Sequence, residues 1–180
     1  MKKLNKKGFT LIELLAVIII LGVLLLIAVP SVSKYIQQSR MKTYRNNLSG
    51  LISAVTNEVN SMDSADYTFR TEEVLVVPFS KIELEKGSNE KSPFNTYVSD
   101  KSFVLVVRKY DGDGNAIGYE YYIQALDNSG YGTMLKKDTE TEIKALKGTD
   151  LITIPADEAA VTDTTFGFDL PDGLKVKLIG

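Results

Sequence analysis

KKGFTLIELLAVIIILGVLLLIAVP, Lys6 to Pro30, decides how the rest of the chain is read. From Phe9 to Val29 it runs 21 residues with one charge, Glu13. As an α-helix rising about 1.5 Å per residue it is about 30 Å long, the thickness of a bilayer's hydrocarbon core. Lys2, Lys3, Lys6 and Lys7 precede it. Under the positive-inside rule they keep the N-terminus cytoplasmic and put the remainder outside. A secretory signal has a shorter apolar core with a small-residue cleavage site behind it. This run ends Ala28-Val29-Pro30-Ser31, without an A-x-A pattern. Glu13 is the anomaly: no basic residue follows it until Lys34. A charged side chain at the centre of a membrane helix costs about 2.5–3.5 kcal/mol, so such residues are read as functional by default.

Two helix-weakening residues lie along the run. Gly22 costs about 1 kcal/mol against Ala in a helix interior, and Pro30 lacks a backbone donor. The pattern nevertheless continues past Pro30. Tyr44, Leu48, Leu51, Val55 and Val59 recur at spacings of three and four, with Ile36, Met41 and Ile52 on or near the stripe. That periodicity predicts one long helix from about Thr10 to about Asn60, kinked at Pro30, apolar all round in its first half and amphipathic in its second.

Composition narrows the function classes. Residues 1–60 carry eight basic and two acidic side chains, and residues 61–180 carry thirteen and twenty-one. A C-terminal part at net −8 argues against a nucleic-acid partner, whose phosphates need a basic surface. The chain has no Cys and no His. That removes disulfides, thiolate chemistry and the commonest general base and metal ligand. Acidic groups such as Asp138, Glu140 and Glu142 read as a solvated face, and no enzyme activity is expected.

With these residues in view, the N-terminus resembles that of type IV pilins and pseudopilins. The likeness rests on a basic leader ending in Gly8, then Phe9, then Thr10-Leu11-Ile12-Glu13 opening an uninterrupted apolar helix. It is strong from Lys6 to Pro30 and holds in outline to about Asn60. The resemblance implies that a prepilin peptidase cuts between Gly8 and Phe9, and that Phe9 becomes an N-methylated mature terminus. It implies that Glu13 acts in assembly, against the Phe9 amine of a neighbouring copy. It also implies that Gly22 and Pro30 bracket a stretch able to unwind in the filament. Small-residue contact between helices is the competing reading of Gly22. Physical chemistry is compatible with these roles. Gly8 suits an extended peptide in a protease cleft, and a new α-amine, of pKa about 8, is mostly protonated at neutral pH. Many Gram-negative pilins lock their C-terminal region with a disulfide. A chain without Cys fits the pilins of Gram-positive bacteria.

Residues 61–180 match that family only in general plan. Ser61 to Ser102 is polar and irregular, and reads as a connection into a sheet, with Glu73 to Phe79 a short strand or a turn of helix. Phe103, Leu105 and Val107 alternate, as do Tyr119, Tyr121, Ile123 and Ala125, around the turn residues Asp111 to Asn115. That predicts a β-hairpin. Phe166 to Leu170 and Leu174 to Leu178 predict a second, Leu151 to Ile154 a possible strand, and Asp157 to Val161 a short helix. Asp111, Asp113 and Asn115 have the spacing that opens an EF-hand loop, but Ala116 and Tyr122 occupy its obligatory Gly and Glu positions. A solvated turn is the better reading. Since some pseudopilins bind calcium, a different calcium site stays open, and no cofactor is expected otherwise.

The expected fold class is α+β: a long N-terminal helix packed through its amphipathic half on an antiparallel β-sheet. The domain plan is 1–8 leader, 9–30 transmembrane and filament-core half-helix, 31–60 amphipathic half-helix, and 61–180 exported β domain. The function expected from the resemblance is a type IV pilus subunit, a major pilin, held in the membrane with its N-terminus cytoplasmic and polymerised into an extracellular filament. Its implied partners are copies of itself, the prepilin peptidase, the assembly platform and the motor ATPase machinery. A pseudopilin or minor pilin of a type II secretion or DNA-uptake system is the alternative. An uncleaved, signal-anchored surface binding protein is a rival from another class.

Overall fold

The structure is a computed structural model, and it describes residues 8–64, 73–84, 87–154 and 175–178. The chain divides into two compact units, one ending at Arg40 and one beginning at Met41. A single α-helix, α1 (Leu11–Ser64), supplies the described helix of both, within a few residues of the expected bounds. It runs on through Pro30 without a break in helical assignment. Pro30 removes the donor for the carbonyl four residues earlier. In the same turn the Ser31 hydroxyl donates to the Ile27 carbonyl at 3.3 Å.

The described part of the first unit is helix from Leu11 onward. Its apolar side chains stay open, from Leu11, 85% exposed, to Val29, 57% exposed. The second unit is a sheet with the amphipathic half of α1 across one face. The strands are β1 (Glu73–Pro78), β2 (Phe103–Tyr110), β3 (Ala116–Leu126), β4 (Tyr131–Lys137), β5 (Lys144–Ala145) and β6 (Lys175–Leu178), in the spatial order β5-β4-β3-β2-β1-β6.

Strands β1 to β5 pair antiparallel, as expected. The outermost strand differs: β6 lies parallel to β1, with Val74 opposite Val176. The C-terminal alternation therefore reaches the described structure as an edge strand on β1. The other arm of the expected hairpin, Phe166 to Leu170, and the expected helix at Asp157 to Val161 lie outside the described residues. Of the two readings of Glu73 to Phe79, the short strand is the one found: β1 lies within the stretch otherwise read as a connection. Its EVLVVP sequence is apolar on both faces, so period alone does not separate strand from helix turn.

Burial on both faces of β1 and β2 has a structural cause. On one face, Leu75, Val77, Val104, Val106, Ile123 and Ala125 meet Tyr44, Leu48, Leu51, Val55 and Val59 of α1. On the other, Val74, Val76, Phe103, Leu105 and Val107 form a second cluster with Ile152 and Ile154 against it. The alternations read from sequence in β2 and β3 thus belong to opposite faces. The segment Leu151–Ile154 is not a strand. The buried Gln124 amide holds it, donating to the Ile152 carbonyl at 2.6 Å and accepting from the Ile152 N–H at 3.1 Å. One side chain thereby replaces a strand partner for that backbone.

Tyr44 ties the helix to the loops. It is fully buried, its hydroxyl donates to the Tyr131 carbonyl at 3.2 Å, and its ring stands edge-on to Tyr97 at 5.6 Å. Burial, followed by the nearby Tyr97 and Asp127, pushes its phenol far above the usual value. Asp127, itself buried, accepts from the Ser92 hydroxyl at 2.6 Å and from the N–H groups of Ser129 and Tyr131. It joins the 88–97 loop to the turn between β3 and β4.

Two tests follow from this packing. A Cβ at Gly132 would run into the backbone carbonyl of Ala125 on β3. Gly132→Ala should therefore lose about 1–3 kcal/mol in urea unfolding, the range of overpacked sites. Near the end of β4, Lys137 donates to the Glu120 carboxylate at 3.1 Å and Tyr122 donates at 3.0 Å. The hydrogen bond from Lys137 holds the Glu120 carboxyl below its ordinary 4.5. Its stabilisation is complete above that ordinary value and is lost as pH falls through the lowered one. The pair is partly exposed, so Glu120→Gln should cost only about 0.5 kcal/mol at pH 7. Thermal melts of both proteins should converge as the pH falls through the lowered Glu120 value, below the ordinary 4.5.

Candidate functional site

The site the sequence singles out is the start of α1. Gly8, Phe9 and Thr10 precede the helix, and Phe9 is 89% exposed. The helix begins at Leu11, which makes Thr10 the N-cap and Glu13 the third helical residue. The Leu14 N–H donates to the Thr10 carbonyl at 3.2 Å, the first intrahelical bond. Glu13 turns back on this cap. Its Oε2 accepts from the Thr10 N–H at 2.8 Å and from the Thr10 hydroxyl at 2.7 Å. The Glu13 N–H donates to the Thr10 hydroxyl oxygen at a longer 3.4 Å. This is a capping box, in which cap and third residue satisfy each other's backbone donors.

The carboxylate that looked misplaced in an apolar run therefore has partners within its own chain. Its charge also sits at the positive end of the helix dipole. Thr10 is the functional residue that a search for a cation missed. The signal was present as Thr-x-x-Glu ahead of an apolar run, the sequence mark of a capping box.

The remaining candidates are dispersed. Gly22 lies in the open helix, and a Cβ there would meet nothing within 4 Å. Pro30 lies eight residues further along. Gly8 is likewise open, and Lys6 and Lys7 lie outside the described residues. The helix has an 18-residue window of mean hydropathy 3.2, long and apolar enough to cross a membrane. The Asp111–Asn115 segment is a turn closed on itself. The Asp111 carboxylate accepts from the N–H groups of Asp113 and Asn115 and from the Asn115 amide, and Gly114 takes φ 84°. Those bonds hold the Asp111 carboxyl below its usual range. Among the described residues, no group of three His, Cys, Asp or Glu stands ready to hold a metal. A groove of about 560 Å³ on the second unit is lined chiefly by neutral polar groups, among them Asn46, Ser49, Ser53 and Thr139. It brings together no acid and base.

Comparison with known proteins points to the same end of the chain. Residues 3–29 match the prokaryotic N-terminal methylation motif. The ComG operon protein 3 homolog of Bacillus licheniformis is 40% identical over 58 residues, 32% of this chain. The match spans 56% of that relative's length, just over half. No solved structure matches the chain. The motif and the relative support a type IV pilin or pseudopilin.

Losing a Thr N-cap costs about 1 kcal/mol. Thr10→Val should therefore speed hydrogen exchange of the first-turn amides in detergent micelles by about fivefold, whereas Thr10→Ser should exchange at the wild-type rate.

Proposed function

We propose that this type IV pilin-like chain is a structural subunit, a major pilin, of a type IV pilus. The observation that carries the reading is the first half of α1, a methylation motif leading into a helix whose apolar side chains stand exposed among the described residues. Such a surface requires lipid or copies of itself. On this reading residues 1–8 are a leader and 9–30 the span and filament core. Residues 31–60 are the helix that seals the sheet, and 61–180 the exported domain. A prepilin peptidase cuts at Gly8/Phe9 and Phe9 is N-methylated. An assembly platform and its motor then draw the anchored subunit from the membrane into an extracellular filament. The role is structural rather than catalytic.

The capping box sharpens the part played by Glu13. In the membrane-held subunit its carboxylate is supported by Thr10, which lowers the cost of keeping an acid close to the hydrocarbon. In the filament, the Phe9 amine of a neighbour meets the same carboxylate. A buried ion pair of this kind sets axial register more than it adds stability. Gly22 and Pro30 weaken the stretch between them. A residue extended from helix to strand-like backbone rises about 3.3 Å in place of 1.5 Å, so a few such residues lengthen the core under tension.

The likeness to the ComG operon protein 3 homolog favours a second reading, a pseudopilin or minor pilin of a DNA-uptake or secretion system. Electron microscopy of cells overproducing the chain separates the two. A major pilin gives long fibres of this chain, and a minor component gives none. Glu13→Val should still enter the membrane and be processed, yet yield at least tenfold fewer fibres, about 1.4 kcal/mol of lost assembly free energy per tenfold. Fibres at wild-type abundance would remove Glu13 from assembly.

A further inference from the structure

Beyond Val29, the chain carries Lys34, Arg40, Lys42 and Arg45 before its next acid, Glu58. All four side chains are exposed. Exposure alone is ordinary for cations, but their place in the chain is not. Flanks exported across a membrane are poor in Lys and Arg near the span, because those charges oppose translocation. Here the side read as exported holds as many as the leader, within 16 residues of Val29. Removal of the leader would leave the inner flank with no lysine. The remainder of the exported part is acidic, net −8 over 61–180, so the basic run also departs from the chain's own charge balance.

Distance along the helix says what such a run can reach. Lys34 lies five residues past Val29, about 7.5 Å beyond the end of the apolar run. Headgroups extend roughly 5–8 Å beyond the hydrocarbon core on each side, so Lys34 falls at the depth of the lipid phosphates. Arg40 stands about 16 Å beyond Val29. Long, flexible stems let such side chains reach back toward the surface, whose potential decays over about 8 Å at physiological salt.

We propose that Lys34 and Arg40 bind the anionic phospholipid headgroups of the outer leaflet and so set the depth of α1 in the membrane before assembly. This rests on the reading of residues 9–30 as a membrane span. It also has a consequence at the other end of the helix. With Lys34 at the outer phosphates, Glu13 lies 21 residues earlier, about 31 Å away, which leaves it about 6 Å inside the inner edge of the hydrocarbon. The outer cations thereby fix how deep the inner acid sits. The competing occupant is the acidic surface of a second copy.

The chain has no cysteine, so Gln38→Cys gives a single site for a nitroxide. The full processed chain would be placed one copy per nanodisc, in phosphatidylcholine alone or with added phosphatidylglycerol. The label's accessibility to a water-soluble nickel chelate would then be measured. The expected result is a several-fold lower accessibility with phosphatidylglycerol, reversed by high salt. It should be abolished in K34Q/R40Q and kept in K34R. Equal accessibility in the two lipids overturns the proposal while leaving the membrane span intact. Protection that needs two copies per disc, in either lipid, overturns it in favour of a second copy. A chain that does not enter nanodiscs at all overturns the membrane span and this inference with it.

Discussion

The constraint on which everything else depends is an apolar helix that the described residues leave uncovered. Between Leu11 and Val29, fifteen large aliphatic side chains stand open. Burying each is worth about 1.5–3 kcal/mol, so the run as a whole represents tens of kcal/mol. A folded domain is stable by only about 5–15 kcal/mol. No adjustment within the second unit can offset such an exposure, and water is therefore not the medium of this segment. The cost of one acid among those residues, about 2.5–3.5 kcal/mol at most, is small against that total. Glu13 can be tolerated there, and the Thr10 hydrogen bonds reduce its cost further.

The second unit solves the opposite problem, because its sheet must be covered on both faces. The stripe from Tyr44 to Val59 closes one face, and Ile152 and Ile154 lie against the cluster on the other. Three of the polar side chains this buries take partners far along the chain. Gln124 takes the backbone of Ile152, Asp127 takes Ser92 and the β3–β4 turn, and Tyr44 takes the Tyr131 carbonyl. Unmatched, each buried group costs about 1–3 kcal/mol. The edges are kept short, with two residues in β5 and four in β6, which limits pairing with foreign strands.

Much of this was legible in the sequence, and the failures have physical causes. The helix was readable because its apolar stripe repeats at helical spacing, and the β2–β3 hairpin because its arms alternate around a turn rich in Gly and Asp. Strand β1 was legible only as a strand or a turn of helix, because burial on both faces removes the alternation that decides between them. The parallel pairing of β6 was beyond local reading. Leu174 to Leu178 looks the same whether its partner is the preceding strand or one a hundred residues earlier. The hold of Gln124 on Ile152 is a long-range contact with no sequence period. At the candidate site, Glu13 stood out for its charge. Its partner Thr10 was overlooked, although the spacing between them carries the capping signal.

The central claim is that residues 1–8 are removed and Phe9 becomes the working N-terminus of a membrane-anchored subunit. Mass spectrometry of the protein taken from the membranes of cells that possess a prepilin peptidase tests it most directly. The account predicts a chain beginning at Phe9 with one methyl group on its amine. A chain beginning at Met1, or one beginning near Ser31, would contradict it.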